Sequence, residues 1–148
     1  MIDSEHTAGS PVDSAVYLQV QQFYAHQMHA LDSGDASAWA ATFTPDGEFS
    51  ANAHPEPVRG RDAIDAAALT TTTDLAERGV VRRHWLGMLD VSARGDGTLS
   101  TRAYALIVES PRNGRPDVRL STLCEDVLVP DGAGWLVSCR RVTRDDLR

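Results

Sequence analysis

The sequence predicts an α+β domain in which helices come first and a run of long strands follows. Apolar residues over 15–32 recur at three- and four-residue intervals, which is the period of an amphipathic helix. In the second half, Asp96-Gly97, Asn113-Gly114 and Asp131-Gly132 separate four long apolar segments, and each such dipeptide is a hairpin signal. The chain has 148 residues, enough for one hydrophobic core and too few for two.

Residues 1–14, with Gly9, Ser10 and Pro11 and little apolar content, read as a mobile leader, and 15–148 as a single domain. Val16, Val20, Phe23, Tyr24, Met28 and Leu31 form the stripe of the first helix, with Ser14 as its cap and Ser33-Gly34 as its stop. Asp35 caps a second short helix carrying Trp39, Ala40 and Phe43, which Pro45-Asp46-Gly47 ends with a turn. A short strand over 48–53 and a Pro-rich connection over 54–57 follow. The third helix is expected over about 62–78, Ala-rich and suited to close packing in its first half. Its β-branched run Thr70 to Thr73 weakens helix propensity, and Gly79 closes it. Strands are expected over 80–92, 98–109, 117–129 and 135–143, forming a curved antiparallel meander with the helices on one side.

Composition narrows the function. Twenty-one acidic against 14 basic residues give a net charge of −7, which repels the phosphates of nucleic acids and acidic lipid surfaces. All the basic residues are Arg, so a lysine Schiff base and the Lys of a phosphate-binding loop are excluded. No apolar run approaches the roughly 18 to 20 residues of a membrane span. The expectation is a cytoplasmic protein with no nucleic-acid or membrane partner. Cys124 and Cys139 have no metal-ligand spacing. They sit where a hairpin would let them face each other, but a reducing compartment favours free thiols.

Among residues able to do chemistry, His84 stands out. Strand alternation puts it on one face with Leu86 and Met88, and Arg83 and Trp85 on the other. Such an imidazole is either a satisfied core group or a pocket group. Asp32, in the run A-L-D-S-G-D, either bonds the chain turning out of the first helix or, with Asp35 as the cap, faces inward. Tyr24 and Tyr104 read as wall packing or as hydrogen-bond donors to a substrate oxygen. His26 and His29 stand three apart beside Gln19 and Gln22, a solvated face with no metal set to complete. His54 falls near a pocket rim. Arg82, Arg83, Arg140 and Arg141 read as a solvated strand face or an attractor of acidic ligands, and Asp126 as a partner for a strand arginine. Val81, Trp85, Leu89 and Val91 are in phase on the outer face of their strand, where a second copy would pack, giving a homodimer or, second, a trimer.

The segments ALDSGDASAWAATFTPDGEF, GRDAI, RRHW and GWLVSCRRV resemble the NTF2-like superfamily. They are most similar to its branch of SnoaL-like polyketide cyclases, scytalone dehydratase and the small subunits of ring-hydroxylating dioxygenases. The resemblance runs through most of residues 15–145. It implies a cone of three helices and a strongly bent sheet around an apolar pocket, often in a homo-oligomer. It also implies that His84 turns into the pocket and pairs with Asp32, leaving Tyr24, Tyr104, Leu86 and Met88 for substrate contact. Departures are plain. The places of the dehydratase tyrosines hold Leu31 and, nearby, Ala51; its second histidine has no counterpart over 108–111; and its late asparagine becomes Leu123 or Cys124. The steroid-isomerase pattern fails too, with Gln27 at its tyrosine position and Ala51 near its base. The implied activity is a small enzyme using no cofactor and no metal. It would act on a small hydrophobic, aromatic or polyketide-like substrate by cyclisation, dehydration or isomerisation. The alternative is a non-catalytic hydrophobic-ligand-binding or oxygenase small-subunit-like domain.

Overall fold

The computed structural model describes residues 9–148. Helix α1 (Ser14–Asp32) starts where the Asp13 carboxylate accepts the Val16 amide at 2.9 Å. Asp13, rather than Ser14, is therefore the cap: its carboxylate sits three residues before that amide, the usual capping geometry. At the other end Gly34 takes φ +86°, a left-handed turn that costs glycine little and ends the helix. Asp35 caps α2 (Ala36–Ala40) through the Ala38 amide. The third helix, α3 (Arg61–Glu77), follows a strand pair rather than a bare loop.

Seven strands form one sheet in the order β1-β4-β5-β6-β7-β2-β3. The meander consists of β4 (Val80–Ala93), β5 (Leu99–Pro111), β6 (Asp117–Asp131) and β7 (Gly134–Arg144), paired antiparallel at each step. On its far side β2 (Phe43–Ala51) runs parallel to β7 and carries the short β3 (Val58–Arg59). Two sequence expectations change here. Phe43 opens β2 instead of closing α2, and Pro45-Asp46-Gly47 is an irregularity within that strand. Its register jumps from Phe43 opposite Val137 to Glu48 opposite Cys139, which absorbs the turn residues without ending the pairing. At the opposite edge β1 (Ser10–Pro11) pairs with Ala93 and Ser92 of β4. That part of the expected leader is thus tied to the sheet, while residues 1–8 lie outside the described residues.

The interior joins an aromatic cluster to a polar knot. Trp39 meets Phe43 edge-on at 5.0 Å between ring centres, and Phe49 closes the group at 6.1 Å from Trp39. Beside them Arg140 is sealed in the core, its Nε and Nη2 each donating to Asp126 at 2.8 Å. Nη2 also donates to the Gln27 side-chain oxygen at 2.7 Å, and the Tyr24 hydroxyl donates to Asp126 at 2.6 Å while contacting the Thr101 hydroxyl. Burial and the neighbouring Asp126 push the Tyr24 phenol well above its ordinary range, so it stays protonated as the donor. The expectation of Asp126 as a structural partner for a strand arginine is met by Arg140, at twofold geometry.

Removing one member of a buried pair leaves the other charge stranded, at a cost of about 3–5 kcal/mol. Asp126→Leu should therefore lower the denaturant midpoint sharply, as should Arg140→Met. The double variant Asp126→Leu/Arg140→Met should lose less than the sum of the two single changes. Urea titrations of the four proteins measure this; strict additivity would disprove the coupling.

Candidate active site

A cavity of about 610 Å³ opens between the concave face of the sheet and the helices. Its floor comes from β4, β5 and β6 (Leu86, Ala105, Ile107, Leu120, Thr122), and α3 supplies small residues, Ala67, Ala68, Thr71 and Thr72. The Ala-rich stretch that suits close packing here leaves room instead, because short side chains on α3 face a bent sheet that curves away from them. Thr70 and Thr71 return their hydroxyls to the carbonyls of Ala66 and Ala67. Thr72 likewise donates to the Leu69 carbonyl, and the β-branched run stays helical.

At one end of this hollow the last residue of α1 meets β4. Asp32 Oδ2 accepts the His84 backbone amide at 2.9 Å, and Oδ1 lies 2.6 Å from His84 Nδ1. The two side chains are 8% and 16% exposed. A carboxylate oxygen accepts, so this contact places a proton on Nδ1, and in the neutral ring Nε2 is then the nitrogen with the lone pair. Holding both backbone and ring fixes the imidazole in position as well as in tautomer.

Leu86 lines the cavity beside His84; the other expected substrate contacts stand elsewhere. Met88 is 78% exposed on the outer face. In β4 two residues, Met88 and Leu89, oppose the single Ala103 of β5 between the pairs Gly87–Tyr104 and Asp90–Arg102. Met88 takes φ +53° at this bulge, so alternation restarts one residue late. For the same reason Leu89 and Val91 turn into the core instead of joining Trp85 and Val81 outside. Tyr104 is also on the outer face, since its neighbours Ala103 and Ala105 take the inward positions. Tyr24 is buried and its hydroxyl is committed to Asp126 and Thr101, so it offers nothing to a ligand.

Several cavity residues were not assigned to the site from sequence, and Arg82 and Arg140 stand in its wall rather than on a solvated strand face. Arg82 lies two residues before His84 on the same face, and that phase would have found it. Arg140, Arg144 and Trp39 also reach the lining, and His54 stands there as well, in keeping with the expected pocket rim. So do Leu31, Ala51 and Cys124, three of the positions where the dehydratase pattern has polar groups. Among the described residues no three His, Cys, Asp or Glu gather to hold a metal, and no helix is long and apolar enough to cross a membrane.

Fold and hollow together define a small α+β pocket domain with an imidazole–carboxylate pair in its wall. The chain belongs to the SnoaL-like domain family, which matches residues 13–141, and so to the NTF2-like branch. It is similar to the structure of Aln2 from a Streptomyces species, at 33% identity and a TM-score of 0.85, covering 93% of this chain and 96% of that one. ActVI-ORFA from Streptomyces coelicolor gives 34% identity and 0.82, over 90% and 99% of the two chains. A Catenulispora acidiphila protein in complex with S-DNPA gives 36% and 0.77, over 90% and 96%. Comparison with curated proteins finds no significant match.

Both cysteines are free, Cys124 buried and Cys139 half-buried. They do not face each other: Cys124 pairs with Val142, and Cys139 with Val127. Burial, aided by Asp126, pushes the Cys124 thiol up to about 12, and burial raises Cys139 as well. Because the thiolate is the nucleophile, iodoacetamide at pH 8 should modify Cys124 only after denaturation. Peptide mass spectrometry reads this, and rapid labelling of Cys124 in the folded protein would contradict it.

Proposed function

We propose that this protein is an enzyme in which His84 Nε2 removes a proton from a carbon beside a carbonyl of an aromatic or polyketide-like substrate. Asp32 holds the ring in the required tautomer. The observation that carries the reading is the double grip of Asp32 on His84, on ring and backbone together, in the wall of an apolar cavity large enough for a polycyclic ligand. The electron pair of the broken C–H bond moves onto the carbonyl oxygen as an enolate. The imidazolium, stabilised by Asp32, then returns the proton: to a leaving hydroxyl in a dehydration, to another carbon in an isomerisation, or to the alkoxide formed when the enolate closes a ring. Proton transfers alone suffice, so the scheme calls for no cofactor. The small aromatic ligand class agrees with the S-DNPA complex of the Catenulispora acidiphila protein, and a cytoplasmic location belongs to the same reading.

The first step is measurable without the natural substrate. Exchange of the acidic protons of 2-tetralone in D₂O, followed by proton NMR, should be faster with the protein than in buffer. His84→Ala should slow it by about 10²-fold or more, and Asp32→Asn by much of that. The double variant should be little worse than His84→Ala, as groups acting as a unit are non-additive. Folded variants exchanging at the wild-type rate would favour the binding-domain alternative.

Self-association completes the reading. Val81, Trp85, Met88, Tyr104 and Leu106 are exposed on the outer face of β4 and β5, with Trp85 paired to Leu106 and Gly87 to Tyr104. A contiguous apolar face of this kind is best covered by a second copy, as a homodimer first and a trimer second. Light scattering at tens of micromolar should give a dimer mass, and Trp85→Glu should give monomer; a monomeric wild type would refute it.

A further inference from the structure

We infer that Arg82 is the oxyanion-holding residue of the cavity. Its guanidinium receives the negatively charged oxygen that a ligand carries or develops beside the carbon facing His84. This rests on the proposed role of His84 and supplies the electrophile that the role needs. When a proton leaves the carbon, charge appears on the neighbouring oxygen, and donors already aimed at it lower the barrier most.

The tyrosines do not fill this part, since Tyr24 is committed in the core and Tyr104 faces outward. Three arginines line the cavity, and their commitments differ. Arg140 spends Nε and Nη2 on Asp126 and Nη2 again on Gln27. Arg144 holds Asp146 through Nε at 3.0 Å and Nη2 at 2.7 Å. Arg82 makes one side-chain bond, Nη2 to Glu109 at 3.2 Å, and its Nε is buried with no partner among the described residues. A guanidinium has five N–H donors, so most of its capacity is unused. Its carboxylate is also shared, because Arg119 approaches the other oxygen of Glu109 at 3.6 Å. Two guanidiniums on one carboxylate leave a surplus positive charge, and Arg119 is largely exposed while Arg82 is 22% exposed.

Position supports the assignment. Arg82 and His84 are inward neighbours on one face of β4, which separates their Cα atoms by about 6.6 Å. A substrate lying along the strand can set its acidic C–H at His84 and its carbonyl oxygen at Arg82. Glu109, directly opposite Arg82 in the β4–β5 register, restrains the guanidinium from one side.

The test uses 2-hydroxy-1,4-naphthoquinone, an acidic compound whose anion is a delocalised enolate, beside its neutral 2-methoxy analogue. Binding to the full-length protein at neutral pH is followed by visible absorbance and by quenching of tryptophan fluorescence, to which Trp39 in the cavity lining contributes. The wild type should prefer the hydroxy compound by about tenfold or more, and the bound quinone should ionise at lower pH than the free one. Arg82→Gln should abolish both effects and weaken methoxy binding far less than hydroxy binding. Arg82→Lys should keep part of the preference, and Glu109→Gln should increase it. Retention of the preference in folded Arg82→Gln would overturn the inference, as would an unchanged preference in Glu109→Gln should Arg82→Gln fail to fold. If 2-naphthoate alone depends on Arg82, the residue seats a carboxylate and the oxyanion assignment falls. His84→Asn should keep the Arg82-dependent preference while losing tetralone exchange, so a failure of the base reading and a failure of this one show in different variants.

Discussion

A guanidinium and a carboxylate withdrawn almost wholly from water cannot be left apart, and this constraint organises the domain. Arg140 comes from β7 and Asp126 from β6, so their contact fixes where these strands cross the core. Helix α1 joins from above through Tyr24 and Gln27, three residues apart on one helical face. Gln27 passes the connection to Thr42, in the turn just before β2, through a 2.7 Å bond. The ring of Tyr24 and that of Phe43 also lie within 6 Å of the guanidinium carbon, giving cation–π contact. With the rotation of α1 set in this way, its last residue, Asp32, is delivered to β4. The imidazole pair in the cavity is therefore a consequence of a charge pair in the core.

The elements that follow from one dominant periodicity were legible in the amino-acid order. The stripe from Val16 to Leu31 gives α1 to within a residue, and the Gly-containing dipeptides give all three hairpins of the meander. Positions that depend on an interruption of period were not. Nothing local distinguishes Gly87-Met88 as a bulge, and uninterrupted alternation sends Met88 inward and Leu89 outward, the reverse of what occurs. Tyr104 misled for another reason: large aromatics belong in walls on average, but here alternate alanines occupy the inner face. Asp32 and His84 are 52 residues apart, and no spacing rule joins them; only the likeness to relatives paired them. Arg82 is the opposite case, readable from phase alone once His84 is placed.

The hollow itself has a composition. Where α2 and β2 meet the sheet, Trp39, Phe43 and Phe49 fill the space with rings. Along α3, alanine and threonine leave it empty. An unfilled apolar volume forgoes packing energy, and the domain offsets it at the other end, where the aromatic cluster and the polar knot concentrate its contacts. Stability and emptiness are thus assigned to different regions of one small core.

The bulge at Met88 divides β4 into two independent reading frames. Upstream, odd positions face out and even positions face the cavity; downstream the assignment is exchanged. A side-chain change at Arg82 or His84 therefore falls on the wall of the hollow, whereas one at Leu89 or Val91 falls on the packed interior. A single strand thus serves two surfaces, its first half shaping the hollow and its second half closing the core.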